Sequence, residues 1–405
     1  MTSGTVLFRK CFKIKKSMFY NMERKIVHFW QLPATIRFEL DHAFCLKLFD
    51  KAAKGNYFEL AEKLGVSYPY VHHLRRAIYS IPKDLLIEIA TIAEEDLKNI
   101  EENIRIIKTR AGLSLKIPFP IMGSSNISSL VGHVFSDGCI DSRRREFDYS
   151  NTNPALLLEV ENEVWKEFGI KPFSKTGSRI TYPSVAGDVL LMFGAPLAPK
   201  LYSENAIPKW IMEGSESCKK VFLRAVFNDD GSVMYSKSFN AKGVNLYQTR
   251  HISKKPYLEA LLSQIKKLLE EFDIHCGECL ISRKYKKADG IHVVMYINIT
   301  DYVSILNFYK KIGLAKGEKL LKLEKILSRK NHYNKFNENR LKESILNYLK
   351  IKSAATSEIA NQLMTSKQKI LKKLKQLELK GAVERIGKIA PNRAVIWRIK
   401  EVAAL

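Results

Sequence analysis

The chain has 405 residues, of which 46% are hydrophobic, and its formal net charge is +25. This length predicts two to four domains, and the hydrophobic content excludes a wholly disordered protein. No apolar run reaches the roughly 18 residues of a membrane-spanning helix, so the charge points to a polyanion, nucleic acid first and anionic membrane second. The six cysteines are too sparse for a disulfide framework and no secretory signal is visible, which predicts a cytoplasmic protein.

The positive charge is concentrated at the two ends of the chain. Residues 319–400 contain 21 basic and 6 acidic side chains, and residues 1–22 contain five basic and no acidic ones. Residues 1–35 are therefore predicted to be a basic N-terminal arm. Whether residues 1–22 belong to the natural protein stays open, since Met22 could also begin a more ordinary N-terminus.

Residues 36–110 are predicted to form an all-α domain with a helix-turn-helix. Ala61 is small where a second helix would cross closely, Gly65 permits the left-handed turn that ends the first helix, and Ser67 can cap the second. The alternative is a helical hairpin packed within a larger domain. The second helix would expose groups able to contact phosphates and base edges, namely Ser67, Tyr68, His72, His73 and Arg76.

After a break with two prolines at residues 111–125, one order of elements is predicted to occur twice. Each round contains a helix, two strands, a second helix and two more strands, over about residues 126–198 and 219–316. The second helices begin at Pro154 and Pro256, the favoured first-turn position for proline. The pattern predicts an internal duplication.

Each round opens with a nine-residue motif, LVGHVFSDG at 130–138 and LRAVFNDDG at 223–231. The small residues Gly132 and Ala225 would let two such helices pack closely together. At adjacent helix ends, the helix dipoles and mutual repulsion would disfavour the Asp137 and Asp230 carboxylates, a balance that a divalent cation reverses. Hard oxygen ligands suit Mg²⁺. The alternative for each motif is an ordinary Asp-Gly helix end.

These two motifs resemble those of the LAGLIDADG (DOD-type) homing endonucleases, in the single-chain form with two motifs. The segment IPKWI at 207–211 also resembles that family's second repeat. The resemblance, over about residues 126–316, implies an α+β fold: a duplicated αββαββ core with two saddle-shaped antiparallel sheets on a central two-helix interface. It implies a monomer with a pseudo-twofold core that cleaves double-stranded DNA at specific sites and depends on Mg²⁺.

The resemblance also implies roles for individual residues. Mg²⁺ would be held by Asp137 and Asp230 at the scissile phosphates and would activate water. Gln248 and Lys284, or Lys286 in place of the latter, would assist catalysis in the second half. The first half offers only Ser150 and Lys175 at matching places, so a nickase or an inactive DNA-binding protein stays open.

The strands between the helices would present polar side chains to the major groove. An error of one residue in strand register would exchange the exposed set for the buried one. The residues expected on this face are Arg143, Arg145 and Tyr149 from the first round, and Tyr235, Lys237, Tyr247 and Arg250 from the second.

Residues 338–402 are predicted to form a winged-helix-like DNA-binding domain of three helices and a hairpin. A solvated lysine face or a protein-binding surface is the alternative for its basic residues. Those expected to contact DNA are Lys367, Lys369, Lys372, Lys373, Lys388, Arg393 and Arg398.

The whole chain is interpreted as a homing-type endonuclease, the alternatives being a non-cleaving transcriptional regulator of the same fold and an RNA-directed maturase.

Overall fold

A computed structural model describes residues 25–109, 113–235, 242–328, 338–389 and 394–400 of a protein that mixes helices with several antiparallel sheets. The described residues fall into two compact units. The first contains residues 25–230 with Gln248–Leu268 and Ile281–Met295, and the second contains Gly231–Tyr247, Leu269–Leu280 and the residues from Tyr296 onward. Within these ranges no helix combines the length and the apolar character needed to span a bilayer.

The N-terminal part of the first unit combines five helices with short strands. Most of the predicted arm lies outside the described residues, but Val27, Phe29 and Leu32 at its end are buried. The elements in chain order are β1 (Ile26–Val27), β2 (Arg37–Leu40), α1 (His42–Ala53), α2 (Tyr57–Lys63), α3 (Tyr68–Arg75), β3 (Ile81–Pro82), α4 (Lys83–Ile92), α5 (Leu97–Glu102), β4 (Ile104–Lys108), β5 (Ser114–Leu115) and β6 (Ile121–Met122).

The prediction that residues 36–110 are all helical was wrong. Strands β2, β3, β4 and β5 form a sheet of order β3-β2-β4-β5. Phe38 and Leu40 are buried while Arg37 and Glu39 between them are not, which is the period of two typical of a strand. In β4 the sequence Ile-Arg-Ile-Ile-Lys is rich in β-branched residues, which favour strands over helices.

Helices α2 and α3 lie where the helix-turn-helix was predicted. Gly65 has a φ of 60°, and the Val66 amide donates to the carbonyl of Ala61 at 3.0 Å, which ends α2. Ser67 occupies the N-cap position of α3, but its side chain makes no capping hydrogen bond. Val71 and Leu74 on α3 are fully buried, so both helices share one core.

Residues 125–307 contain the same order of elements twice, helix-strand-strand-helix-strand-strand. The two four-stranded sheets have matching strand orders, β7-β8-β10-β9 and β11-β12-β14-β13. The elements are α6 (Ser125–Phe135), β7 (Gly138–Ile140), β8 (Phe147–Ser150), α7 (Pro154–Phe168), β9 (Ser174–Lys175), β10 (Arg179–Tyr182), α8 (Ser184–Met192), α9 (Lys209–Met212), α10 (Glu216–Asp229), β11 (Gly231–Tyr235), β12 (Lys242–His251), α11 (Lys255–Glu270), β13 (Leu280–Lys287), β14 (Gly290–Ile299) and α12 (Tyr302–Asn307).

The opening helices of the two rounds, α6 and α10, pack directly against each other in the first unit. A Cβ atom added to Gly132 would lie 2.8 Å from the carbonyl oxygen of Phe222 and 2.9 Å from the Cβ of Ala225. Real Cβ atoms do not approach other atoms so closely, so the backbones meet here because Gly132 has no side chain.

The C-terminal part of the second unit has its own apolar core. Trp397 is buried in it and donates from its indole Nε1 to the Thr356 hydroxyl at 3.0 Å. The elements are α13 (Glu318–Leu327), α14 (Glu338–Ile351), β15 (Ala354–Ala355), α15 (Thr356–Gln362), α16 (Lys367–Leu379), β16 (Val383–Ile389) and β17 (Ala394–Ile399). Strands β15, β17 and β16 form one sheet, of which β15 was not predicted. The domain boundaries given above stay predictions.

Candidate functional site

Asp137 and Asp230 lie just beyond the ends of the packed helices α6 and α10. Asp230 is the C-cap residue of α10, and its amide donates to the Val226 carbonyl at 3.0 Å, whereas Asp137 follows the C-cap Ser136 of α6 and so lies one residue beyond that helix end. Gly138 is the first residue of β7. A Cβ atom added to Gly138 would lie 2.9 Å from the carbonyl oxygen of His133, so a larger residue would not fit there. The Asp137 residue is exposed and Asp230 is partly buried.

Each of the two carboxylates accepts a hydrogen bond from a side-chain amide of its own round. Gln248 on β12 donates from Nε2 to Asp230 Oδ2 at 2.6 Å. Asn151 donates from Nδ2 to Asp137 Oδ2 at 3.0 Å. Asn151 was missed because Ser150 was matched to Gln248, although an amide side chain directly after the second strand was the available signal.

Two basic side chains lie beside these carboxylates. The Lys200 ammonium donates to the carbonyl oxygens of Ser136 and Gly138, which flank Asp137. Burial lowers the pKa of Lys200, although the charges of Asp230 and Asp137 oppose this effect. Lys200 lies outside both motifs, in a short 3₁₀ helix, and nothing in its local sequence indicated a role.

Arg250 is not on the exposed face where it was predicted. It is 4% exposed, and its Nη1 donates to the carbonyl oxygen of Thr249 at 2.9 Å and to Gln248 Oε1 at 3.4 Å. The reason is strand periodicity: residues two apart share a face, so Arg250 lies on the same side as Gln248. Burial lowers the pKa of Arg250, and the charge of Asp230 opposes this.

The electrostatics at Asp230 disfavour a bare negative charge. Burial and then the charge of Asp137 raise the pKa of Asp230 to about 7, and the Lys200 charge only partly offsets them.

Among the described residues, no group of three or more His, Cys, Asp or Glu side chains is placed to hold a metal ion. Carboxylate oxygens are hard ligands, so the chemistry of the two aspartates is compatible with a divalent cation such as Mg²⁺.

Several residues expected to face DNA lie elsewhere. Tyr149 is fully buried, and its hydroxyl donates to Asp229 Oδ1 at 2.8 Å. Arg143 is exposed and Arg145 half-buried, but both lie in the segment between β7 and β8 and not on a strand. Tyr235 is half-buried at the end of β11, and Lys237 lies outside the described residues.

Lys284 lies on the exposed strand β13. The charges of Asp230 and Asp137 act on Lys200, and the charge of Asp230 acts on Arg250. A catalytic role for Lys284 stays a prediction.

On the predicted recognition helix α3, Ser67 and Arg76 are exposed and the other three residues are half-buried. Tyr68 stacks on Phe58 with ring centroids 4.3 Å apart and meets the edge of His72 at 4.6 Å, so both are engaged in an aromatic cluster. In the C-terminal region Lys367 is exposed, Lys369 and Lys373 are half-buried, and Arg393 lies outside the described residues.

Comparison with known proteins reveals partial similarities, and no family model matches the chain. An alignment over 256 residues, which covers 58% of this chain and 26% of the tRNA-splicing ligase RtcB of Pyrococcus furiosus, is 28% identical. A stretch of 87 residues, 21% of this chain, is 37% identical to 5% of the replication factor C small subunit of Methanocaldococcus jannaschii. The chain therefore spans about a quarter or less of the length of these curated relatives.

One solved structure, the N-terminal LAGLIDADG domain of DUF199/WhiA, is 16% identical and aligns with 49% of this chain and 87% of its own. The TM-score is 0.29, and a likeness at that level supports no conclusion about fold or function.

Proposed function

We propose that this protein is a site-specific double-stranded DNA endonuclease of the LAGLIDADG homing type. The observation that carries the proposal is the pair of carboxylates, Asp137 and Asp230, beyond the ends of two packed helices, each held by one amide. A carboxylate pair whose charges repel is poorly suited to stabilising a fold and well suited to binding a cation. The matched relatives are several times longer than the aligned stretches, so neither ligation nor replication is transferred to this chain.

Asp137 and Asp230 would hold Mg²⁺, which when bound would stabilise charge on the scissile phosphates and activate water for hydrolysis. Asn151 and Gln248 orient the two carboxylates by donating to one oxygen of each. Lys200 holds the turn around Asp137 through two carbonyl oxygens and brings a positive charge to the site. Such prearranged groups lower the cost of reaching the transition state.

The two halves of the site are more alike than the sequence indicated. Each half has one carboxylate and one amide that donates to it, since Asn151 does for Asp137 what Gln248 does for Asp230. This likeness favours cleavage of both strands over a nickase. The flanking regions at 36–110 and 338–402 are proposed to grip the DNA, and the chain is proposed to act as a monomer.

The proposal is tested by a cleavage selection on a randomised duplex library with Mg²⁺, comparing wild type with Asp137→Asn and Asp230→Asn. Loss of a metal ligand should lower the cleavage rate by at least about 100-fold, while the folded structure and DNA binding persist. Asp84→Asn is the matched control, because the Asp84 side chain is 66% exposed on α4 and forms an ion pair with its neighbour Lys83. Sequence-specific binding without cutting, unchanged by either substitution, would show a non-cleaving regulator.

A further inference from the structure

A buried carboxylate lies directly before Asp230 in the chain. Asp229 is the last residue of α10, and its side chain is 0% exposed. Both of its oxygens are occupied: His133 Nδ1 on α6 lies 2.8 Å from Oδ2, and the Tyr149 hydroxyl on β8 donates to Oδ1 at 2.8 Å. Both partners belong to the first round, whereas Asp229 belongs to the second.

The side chains of His133 and Asp229 meet at 2.8 Å and are 1% and 0% exposed. Burial lowers the pKa of His133, but the charge and the hydrogen bond of Asp229, together with the charges of two glutamates, raise the pKa to about 9. The carboxylates of Glu163 and Glu159 on α7 act in the same direction. A buried ion pair seldom stabilises a fold more than apolar side chains of similar size do. We therefore expect this contact to fix the orientation of Asp229 more than to add stability.

Strand β8 connects both halves of the candidate site. Tyr149 and Asn151 are two residues apart in the chain, so in extended backbone they point to the same side. Tyr149 contacts Asp229, and Asn151 contacts Asp137. Residues at the end of β8 therefore contact both the last residue of α10 and the carboxylate that follows α6.

We propose that His133 and Tyr149 are positioning residues that fix Asp230 through Asp229. This inference rests on the proposed function, for which the separation of Asp137 and Asp230 decides whether a cation can be shared. Because Asp229 and Asp230 are consecutive, a rotation of the α10 terminus that releases Asp229 also turns Asp230 away from Gln248. Misplacement of a catalytic group by about 1 Å lowers a rate by about 100-fold.

The test uses the full chain with His133→Gln, Asp229→Asn and the double variant, whose Gln and Asn side chains can form a neutral hydrogen bond. Tyr149→Phe is a milder variant that removes only a hydroxyl. Single-turnover cleavage should fall about 100-fold in the single variants and recover at least about tenfold in the double variant, with DNA affinity nearly unchanged. Glu259→Gln is the matched control, since it removes an ion pair to Lys255 within helix α11.

Crystal structures of the same variants separate this inference from the proposed function. The 2.6 Å hydrogen bond between Gln248 and Asp230 should be lost in Asp229→Asn and restored in the double variant. If wild type cuts no duplex, the proposed function is wrong. The crystal structures would still show whether His133 and Asp229 hold Asp230 in place. If the bond persists in the single variants, or if binding and cleavage fall together, the positioning role is overturned.

Discussion

Asp230 is the residue at which the electrostatics of the site are most unfavourable, because burial and the charge of Asp137 raise its pKa from 3.8 to about 7. At pH values between 3.8 and about 7, Asp230 is more protonated in the folded protein than in the unfolded chain. The free energy of unfolding of metal-free protein should therefore fall as pH rises through this window. The destabilisation is fully present above pH 7 and absent below about pH 4.

Replacing Asp230 by Asn should remove this pH dependence. Without metal, the Asp230→Asn variant should exceed wild type in unfolding free energy by on the order of 1–3 kcal/mol at pH 8, after allowance for solvent screening. The two proteins should differ little at pH 4. Urea denaturation in EDTA from pH 4 to 8 measures the difference. A difference in unfolding free energy that stays constant across this pH range would contradict the raised pKa of Asp230.

At the same scale, residue contacts show where reasoning from sequence stops. Gln248 was proposed to assist catalysis, and in the structure it lies on β12 and donates to Asp230. Arg250 was assigned to the wrong face because the period of two had not been anchored to a buried neighbour. Asn151 could have been found from its place directly after the second strand, whereas only the contact of Lys200 with the carbonyl groups that flank Asp137 revealed Lys200.

At the scale of elements, the contact between α6 and α10 depends on Gly132. A methyl group there would overlap the Phe222 carbonyl oxygen and Ala225, so Gly132→Ala should force the helices apart and destabilise the fold by about 1–3 kcal/mol. Gly177→Ala is the matched control, since its added methyl group would meet no atom within 4 Å. Thermal and urea unfolding of both variants measure the effect. Equal stability of Gly132→Ala and wild type would show that this interface can relax.

Element types were predictable where the pattern was long and were missed where it was short. The helices α7 and α11 are 15 and 16 residues long and begin within one residue of the predicted starts. Strands β2 and β4 have four and five residues and lie next to helices, so their period of two was lost in the helical pattern.

At the scale of the whole molecule, the uneven charge predicts how DNA affinity depends on salt. Residues 319–400 hold 21 basic side chains, and Lys367 and Lys372 on α16 are exposed. Deleting residues 338–405 should flatten the plot of log affinity against log salt by about 0.9 for each DNA phosphate that the shortened chain no longer neutralises. Equilibrium binding measured between about 50 and 200 mM salt gives this slope. An unchanged slope would show that these residues face a different partner.

The sequence by itself determined the two rounds of elements, the two Asp-Gly motifs and the distribution of charge, because proline, glycine and periodicity act over a few neighbouring residues. Only the tertiary structure decided which groups surround the carboxylates. Asn151 and Lys200 reach the turn around Asp137, and His133 reaches Asp229 across 96 positions of the chain. Such contacts depend on how helices and sheets pack, and local sequence carries no record of that packing.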